Sequence, residues 1–106
     1  MNEAQQIMGG IEYQLASPIK AHGEEVTQVT LRRPSTKECR VIGRMPYGLD
    51  DRNMPVPDLN VVAKYLVVCL GIPESSVDQL QLSDMNQLAW ELLGFFLQPA
   101  STTSIS

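Results

Sequence analysis

The residues of this 106-residue chain that could do chemistry are few, and their spacing offers little to work with. The single histidine, His22, stands beside Gly23 in a turn signal. A catalytic imidazole needs partners positioned to exchange a proton with it, and nothing in the local pattern places any, so His22 reads as a solvated turn residue. Cys39 and Cys69 are thirty positions apart with no His or Cys at ligand spacing. Neither a zinc site nor a redox pair is indicated, and both thiols read as small structural hydrophobes. Asp50-Asp51 could touch a cation, but two adjacent carboxylates lack the further spaced oxygens of a calcium loop, so they read as turn formers. The sequence has no phosphate-cradling glycine loop, nucleophile elbow or His-Glu metal helix. No enzymatic activity, cofactor or metal is expected.

Charge is distributed unevenly. Five basic residues, Arg32, Arg33, Lys37, Arg40 and Arg44, fall within thirteen positions of a chain whose net charge is −4, and no Lys or Arg follows Lys64. The C-terminal half is acidic and apolar, unlike a phosphate-binding surface. For the Arg32-Arg33 pair, alternation at a strand end predicts one side chain towards the next element and the other in water. The functional alternative is a small nucleic-acid-binding regulator that uses the five basic residues.

The elements that would position these groups are dominated by the stretch 58–98. Leu59, Val62, Ala63, Leu66, Val67 and Leu70 recur with the period of a helix, which Asp58 caps and Gly71-Ile72-Pro73 stops. Val61, Tyr65, Val68 and Cys69 fill much of the remaining circumference, so this helix must be covered on nearly every side. A second long helix, opened by Ser83 with Asp84 near the positive end of its dipole, carries the stripe Met85, Leu88, Ala89, Leu92, Leu93 and Phe96. Trp90, Phe95 and Leu97 broaden its apolar face until Pro99 ends it.

Upstream, Ile11, Tyr13 and Leu15 alternate with polar residues as in a half-buried strand closed by Ser17-Pro18. A second strand runs from Val26 to Leu31, with Thr27, Val29 and Leu31 sharing a face, and the pair reads as a hairpin with a long connection. Pro34 ends it, and Ser35 with Glu38 matches a capping box for a short helix with Cys39 and Ile42 inward. Residues 45–57, rich in proline, read as a loop and a candidate contact surface. The expected class is α+β, an N-terminal β-hairpin followed by a small three- to four-helix bundle. It would form a single domain over 11–98 (hairpin 11–33; helices 35–43, 58–70, 74–80 and 83–98) between a flexible tail, 1–10, and a disordered one, 99–106. No signal peptide or membrane span is predicted, since the longest apolar helix falls short of the roughly 20 residues a bilayer needs. The expected location is the cytoplasm.

Two long helices with apolar surface to spare suit capture of an amphipathic partner. Val61, Tyr65, Val68, Trp90, Phe95 and Leu97 lie off the main stripes and are the partner-binding candidates. A homo-oligomer could cover the same surface.

The run Thr30-Leu31-Arg32-Arg33-Pro34, followed by Ser35 with Glu38, Leu66 to Gly71-Ile72-Pro73, Leu80 with Asp84, and Gly94-Phe95-Phe96-Leu97, resembles a known family. These are the E-type tail assembly chaperones of Mu-like and related contractile-tailed bacteriophages. The likeness covers about 13–98; Glu38 stands where the family pattern has aspartate, and the proline-rich loop is not part of that pattern. By this resemblance Leu31, Arg32, Arg33, Pro34, Gly71, Pro73 and Asp84 are the motif residues. It implies a protein of the bacterial host cytoplasm, absent from the mature virion, that binds the tape measure protein, keeps it soluble and helps recruit tail tube protein. Neither nucleic acid nor membrane is among the partners so implied. A structural component of the tail is the remaining alternative.

Overall fold

In the computed structural model, which describes residues 10–98, the alternation that begins at Ile11 runs on through Pro18 to Ala21. Strand β1 (Gly10–Ala21) pairs antiparallel with β2 (Glu24–Arg32). Only His22 and Gly23 join them, at φ of 54° and 78°. Two left-handed residues in succession give a turn whose twist matches the strands, so the expected long connection is a tight turn. Pro18 is accommodated because β1 leaves the ladder there. Gln14 faces Gln28 and Ile19 faces Val26, so five steps along β1 meet two along β2, leaving three extra residues. An odd insertion exchanges the faces of the partner strand. Val29 and Leu31 therefore point inward before the irregularity and Val26 packs on the core beyond it.

After the hairpin come α1 (Thr36–Ile42), β3 (Tyr47–Leu49), β4 (Pro55–Pro57), α2 (Leu59–Leu70), α3 (Glu74–Val77) and α4 (Leu82–Leu97). The expected α+β class, a hairpin followed by helices, is what the chain forms. The capping box of α1 is complete: Ser35 Oγ accepts from Glu38 N, and Glu38 Oε1 from Ser35 N. Gly43, at φ 82°, closes the helix. Residues 45–57 are not an open loop but contain a second hairpin, with Tyr47 opposite Pro57 and Leu49 opposite Pro55. Prolines tolerate this ladder because of their phase. The flanking bonds run from Asp50 N to Met54 O and from Asp58 N to Pro46 O, and bonded pairs alternate with unbonded ones in an antiparallel ladder. Positions 55 and 57 are the unbonded ones, whose missing N–H would have faced outward.

The core lies between the β1–β2 hairpin and helices α2 and α4. Along α2 the buried residues are Val61, Val62, Tyr65, Leu66 and Cys69. The inward stripe is thus rotated from the one read in the sequence, and Leu59, expected inside, is 52% exposed. A helix apolar around most of its circumference does not announce which face its neighbours will cover. Helix α4 buries Leu88, Ala89, Leu92 and Leu93 as the spacing predicts. Its N-cap is Gln81 without a side-chain bond, so Ser83 is not the cap.

Asp84 differs most from its sequence reading. It does stand in the first turn of α4, near the positive end of the dipole, but it is also fully buried and bonded to β1 where that strand leaves the ladder. Ala16 N donates to both carboxylate oxygens (3.0 and 2.9 Å), Ser17 N to Oδ2 (3.4 Å) and the Tyr13 hydroxyl to Oδ1 (2.8 Å). Backbone donors freed by the irregularity require partners if buried, and the carboxylate provides them. Burial, followed by the bond to Asp84, raises the Tyr13 phenol above its usual value. A second clamp holds the end of β1: Ser76 Oγ donates to Lys20 O (2.6 Å), and Gln79 Oε1 accepts from Lys20 N (2.8 Å). Asp84→Ala should lower stability by about 3 kcal/mol and Tyr13→Phe by about 1.5 kcal/mol, because bonds to a buried charge are lost. Urea denaturation measures both, and an unchanged midpoint for Asp84→Ala would refute the anchoring role.

Candidate partner-binding groove

The Arg32-Arg33 pair separates at the end of β2, as alternation dictates, but neither side chain is simply in water. Arg32 grips Glu38 through two parallel bonds, 2.9 and 2.7 Å, and also donates to Val68 O. Arg33 donates to Phe95 O at 3.0 Å and stacks over the Phe95 ring at 4.7 Å, so the second arginine of the pair is not left to water. A cation placed at the last carbonyls of a helix meets the negative end of its dipole. Arg33 thereby fixes the C-terminal turn of α4 beside α1.

Next to it, Phe96 presents edge-to-face contacts to Tyr65 (centroids 5.3 Å apart) and Tyr47 (6.5 Å). The Tyr65 hydroxyl donates to Arg44 O at 2.6 Å. These contacts tie α2, α4 and the second hairpin together and leave a groove between α1 and the end of α4. Its wider part, about 360 Å³, is lined by Arg33, Pro34, Thr36, Cys39, Met45, Phe95 and Phe96. The second part, about 300 Å³, shares Thr36, Cys39 and Met45 and adds Arg40, Gly43, Arg44 and Tyr65. On the other flank of α1, Val41, Ile42, Val68 and Glu38 line a separate depression of about 390 Å³.

The six residues named from sequence as partner-binding fall into different environments. Val61 and Tyr65 are buried within the chain, at 5% and 0% exposure, so neither offers surface to a partner in this conformation. The rotated stripe of α2 is the reason. Val68 and Phe95 are half-buried, in the outer depression and the main groove respectively. Trp90 and Leu97 are exposed, at 47% and 46%. They share one side of α4 with Gly94, by spacing of four and then three. Sequence reading named 45–57 as a candidate contact surface without singling out Met45, Leu49, Met54 and Val56, and missed Val41; all five are large, apolar and exposed. The available signal was apolar residues recurring through a stretch otherwise composed of turn formers.

The motif residues have structural tasks. Leu31 is buried, Gly71 ends α2 at φ 70°, Pro73 precedes α3, and Pro34 lines the groove. His22 is a turn residue, but its Nε2 lies 3.1 Å from Gly71 O, which requires the tautomer that donates from Nε2. Asp50 Oδ1 accepts from Arg52 N and Met54 N in the second hairpin's turn. Among the described residues no three His, Cys, Asp or Glu side chains group to hold a metal, and no helix is long and apolar enough to cross a membrane.

Arg32, with Ser35 N assisting, holds the Glu38 carboxyl at about 2, below its ordinary 4.5. Its contribution to stability is present above the ordinary value and is lost as pH falls from there towards about 2. The difference in denaturation midpoint between the native chain and Glu38→Gln should therefore close across that acid range, and a constant difference would contradict the assignment. Burial pushes the Cys69 thiol up to about 12, leaving it protonated and shielded, whereas Cys39 lines the open groove. Titration with a thiol reagent should modify Cys39 in the folded protein and Cys69 only after unfolding.

Neither curated proteins nor solved structures provide a match to the chain. A family model does, over residues 12–97, which includes all of both hairpins but the first two residues of β1, the four helices and every groove residue. The chain belongs to the family of phage tail assembly chaperone proteins described as E, or 41 or 14.

Proposed function

We propose that this chain binds the tape measure protein in the host cytoplasm, keeps that long helical rod soluble while tail tube protein is recruited, and leaves before the virion is complete. Within its family it corresponds on this reading to the E-type chaperones of Mu-like, contractile-tailed phages. The observation that carries the proposal is the amount of large apolar surface the fold leaves open. Among the described residues nine large apolar side chains are at least 46% exposed, five of them between Val41 and Val56. A concentration of this kind marks an interaction surface. Helix capture in an apolar groove is a standard mode of recognition, and one of these residues, Met45, lines the groove between α1 and the end of α4.

The basic cluster gives weaker support to a nucleic-acid regulator, because Arg32 and Arg33 are committed to contacts within the fold. Self-association through the Trp90–Leu97 side remains compatible with chaperone activity.

Co-expression of the full chain with the tape measure protein of the same phage, followed by light scattering, tests the proposal. A soluble complex of fixed stoichiometry, with the partner insoluble alone, is expected. Failure to form one would overturn it. Recovery of this chain from purified virions by mass spectrometry would instead favour a structural tail component.

A further inference from the structure

The groove between α1 and the end of α4 has a charge that the chain as a whole does not. Its two parts are lined by Arg33, Arg40 and Arg44 and by no carboxylate, in a chain whose net charge is −4. The one acid on α1, Glu38, faces the other flank and is held by Arg32. Arg33 has a single bond, to Phe95 O, and among the described residues Arg40 and Arg44 are paired with no carboxylate. The floor between these cations is apolar: Cys39, Met45, Phe95 and Phe96. An apolar floor beside two arginines without carboxylate partners, Arg40 and Arg44, with Arg33 already engaged at Phe95, selects for charge as well as for hydrophobicity.

We infer that the groove receives an acidic amphipathic helix, one carrying two large apolar side chains a turn apart with Asp or Glu beside them. This deepens the chaperone reading and rests on it: the groove would select the segment of the partner that is held. The two parts of the groove meet at Thr36, Cys39 and Met45. That arrangement suits two anchors at i and i+4, which project from the same face of a helix. A nucleic acid would meet the same arginines, but for base edges the groove offers between them only the Thr36 hydroxyl, the Cys39 thiol and a Tyr65 hydroxyl already donated to Arg44 O.

The test uses three fluorescent helical peptides and the full chain, read by anisotropy. One peptide carries two leucines at i and i+4 among glutamates; the second replaces the glutamates with lysines; the third replaces the leucines with serines. The acidic amphipathic peptide should bind, more weakly as salt rises, and the other two should bind at least about tenfold less well. Arg40→Glu with Arg44→Glu, both exposed and outside the core, should reduce binding by about tenfold or more while the chain stays folded by circular dichroism. Equal binding of the lysine peptide, unchanged binding by the double variant, or displacement of the acidic peptide by a single-stranded oligonucleotide would each overturn the inference. Tape measure capture that survives the double variant but is lost in Trp90→Ala with Leu97→Ala would also overturn it and leave the chaperone reading standing. No capture even by the native chain would remove that reading, while the peptides would still judge the groove.

Discussion

The carboxylate of Asp84 sets the relation between the two halves of the fold. A strand that departs from its ladder by three residues frees backbone donors, and donors buried without acceptors carry a desolvation penalty. One side chain from α4 receives those of Ala16 and Ser17 together with the Tyr13 hydroxyl. Among the described residues no ion pair reaches this carboxylate, and its partners are hydrogen-bond donors. The consequence is a fixed angle between hairpin and helix: β1 cannot return to a regular ladder, and α4 cannot slide, without stranding a buried charge or its donors.

At the opposite end of α4 the chain uses a different device. Arg33 binds the final turn through Phe95, while Phe96 lies among Tyr47 and Tyr65. Two adjacent phenylalanines thus serve different neighbours, one holding an arginine and the other packing on rings. Helix α4 is consequently anchored at both ends, by a carboxylate at its start and by aromatic contacts at its finish. The groove inherits its shape from the second anchor. Its floor is the exposed remainder of residues whose other sides are already engaged, and such a surface is set before any partner arrives.

The elements themselves were readable where the pattern was local. The capping box at Ser35, the cap at Asp58, the stop at Gly71 and the stripe of α4 depend on residues a few positions apart, and each formed as its spacing predicts. What could not be read depended on neighbours far along the chain. The inward face of α2 was decided by what packs against it, which moved Val61 and Tyr65 from presumed surface to core. Asp84 is 68 positions from Ala16, the backbone it serves, and Arg33 is 62 from Phe95. The second hairpin escaped notice for another reason. Proline argues against a strand unless its position in the ladder is known, and that position is a property of the pairing rather than of the sequence.

Those prolines have an effect beyond the local fold. An unpaired strand margin is a template for further strands, and proteins that expose apolar surface near one are at risk of stacking into fibrous aggregates. Along the outer margin of β4 the donors that would recruit another strand are missing at Pro55 and again at Pro57, on either side of the exposed Val56. A tail assembly chaperone that held an extended apolar client would meet this hazard. The outer margin of β4 can lie beside such a client while offering no run of donors along which it, or a second copy of the chain, could add as a strand.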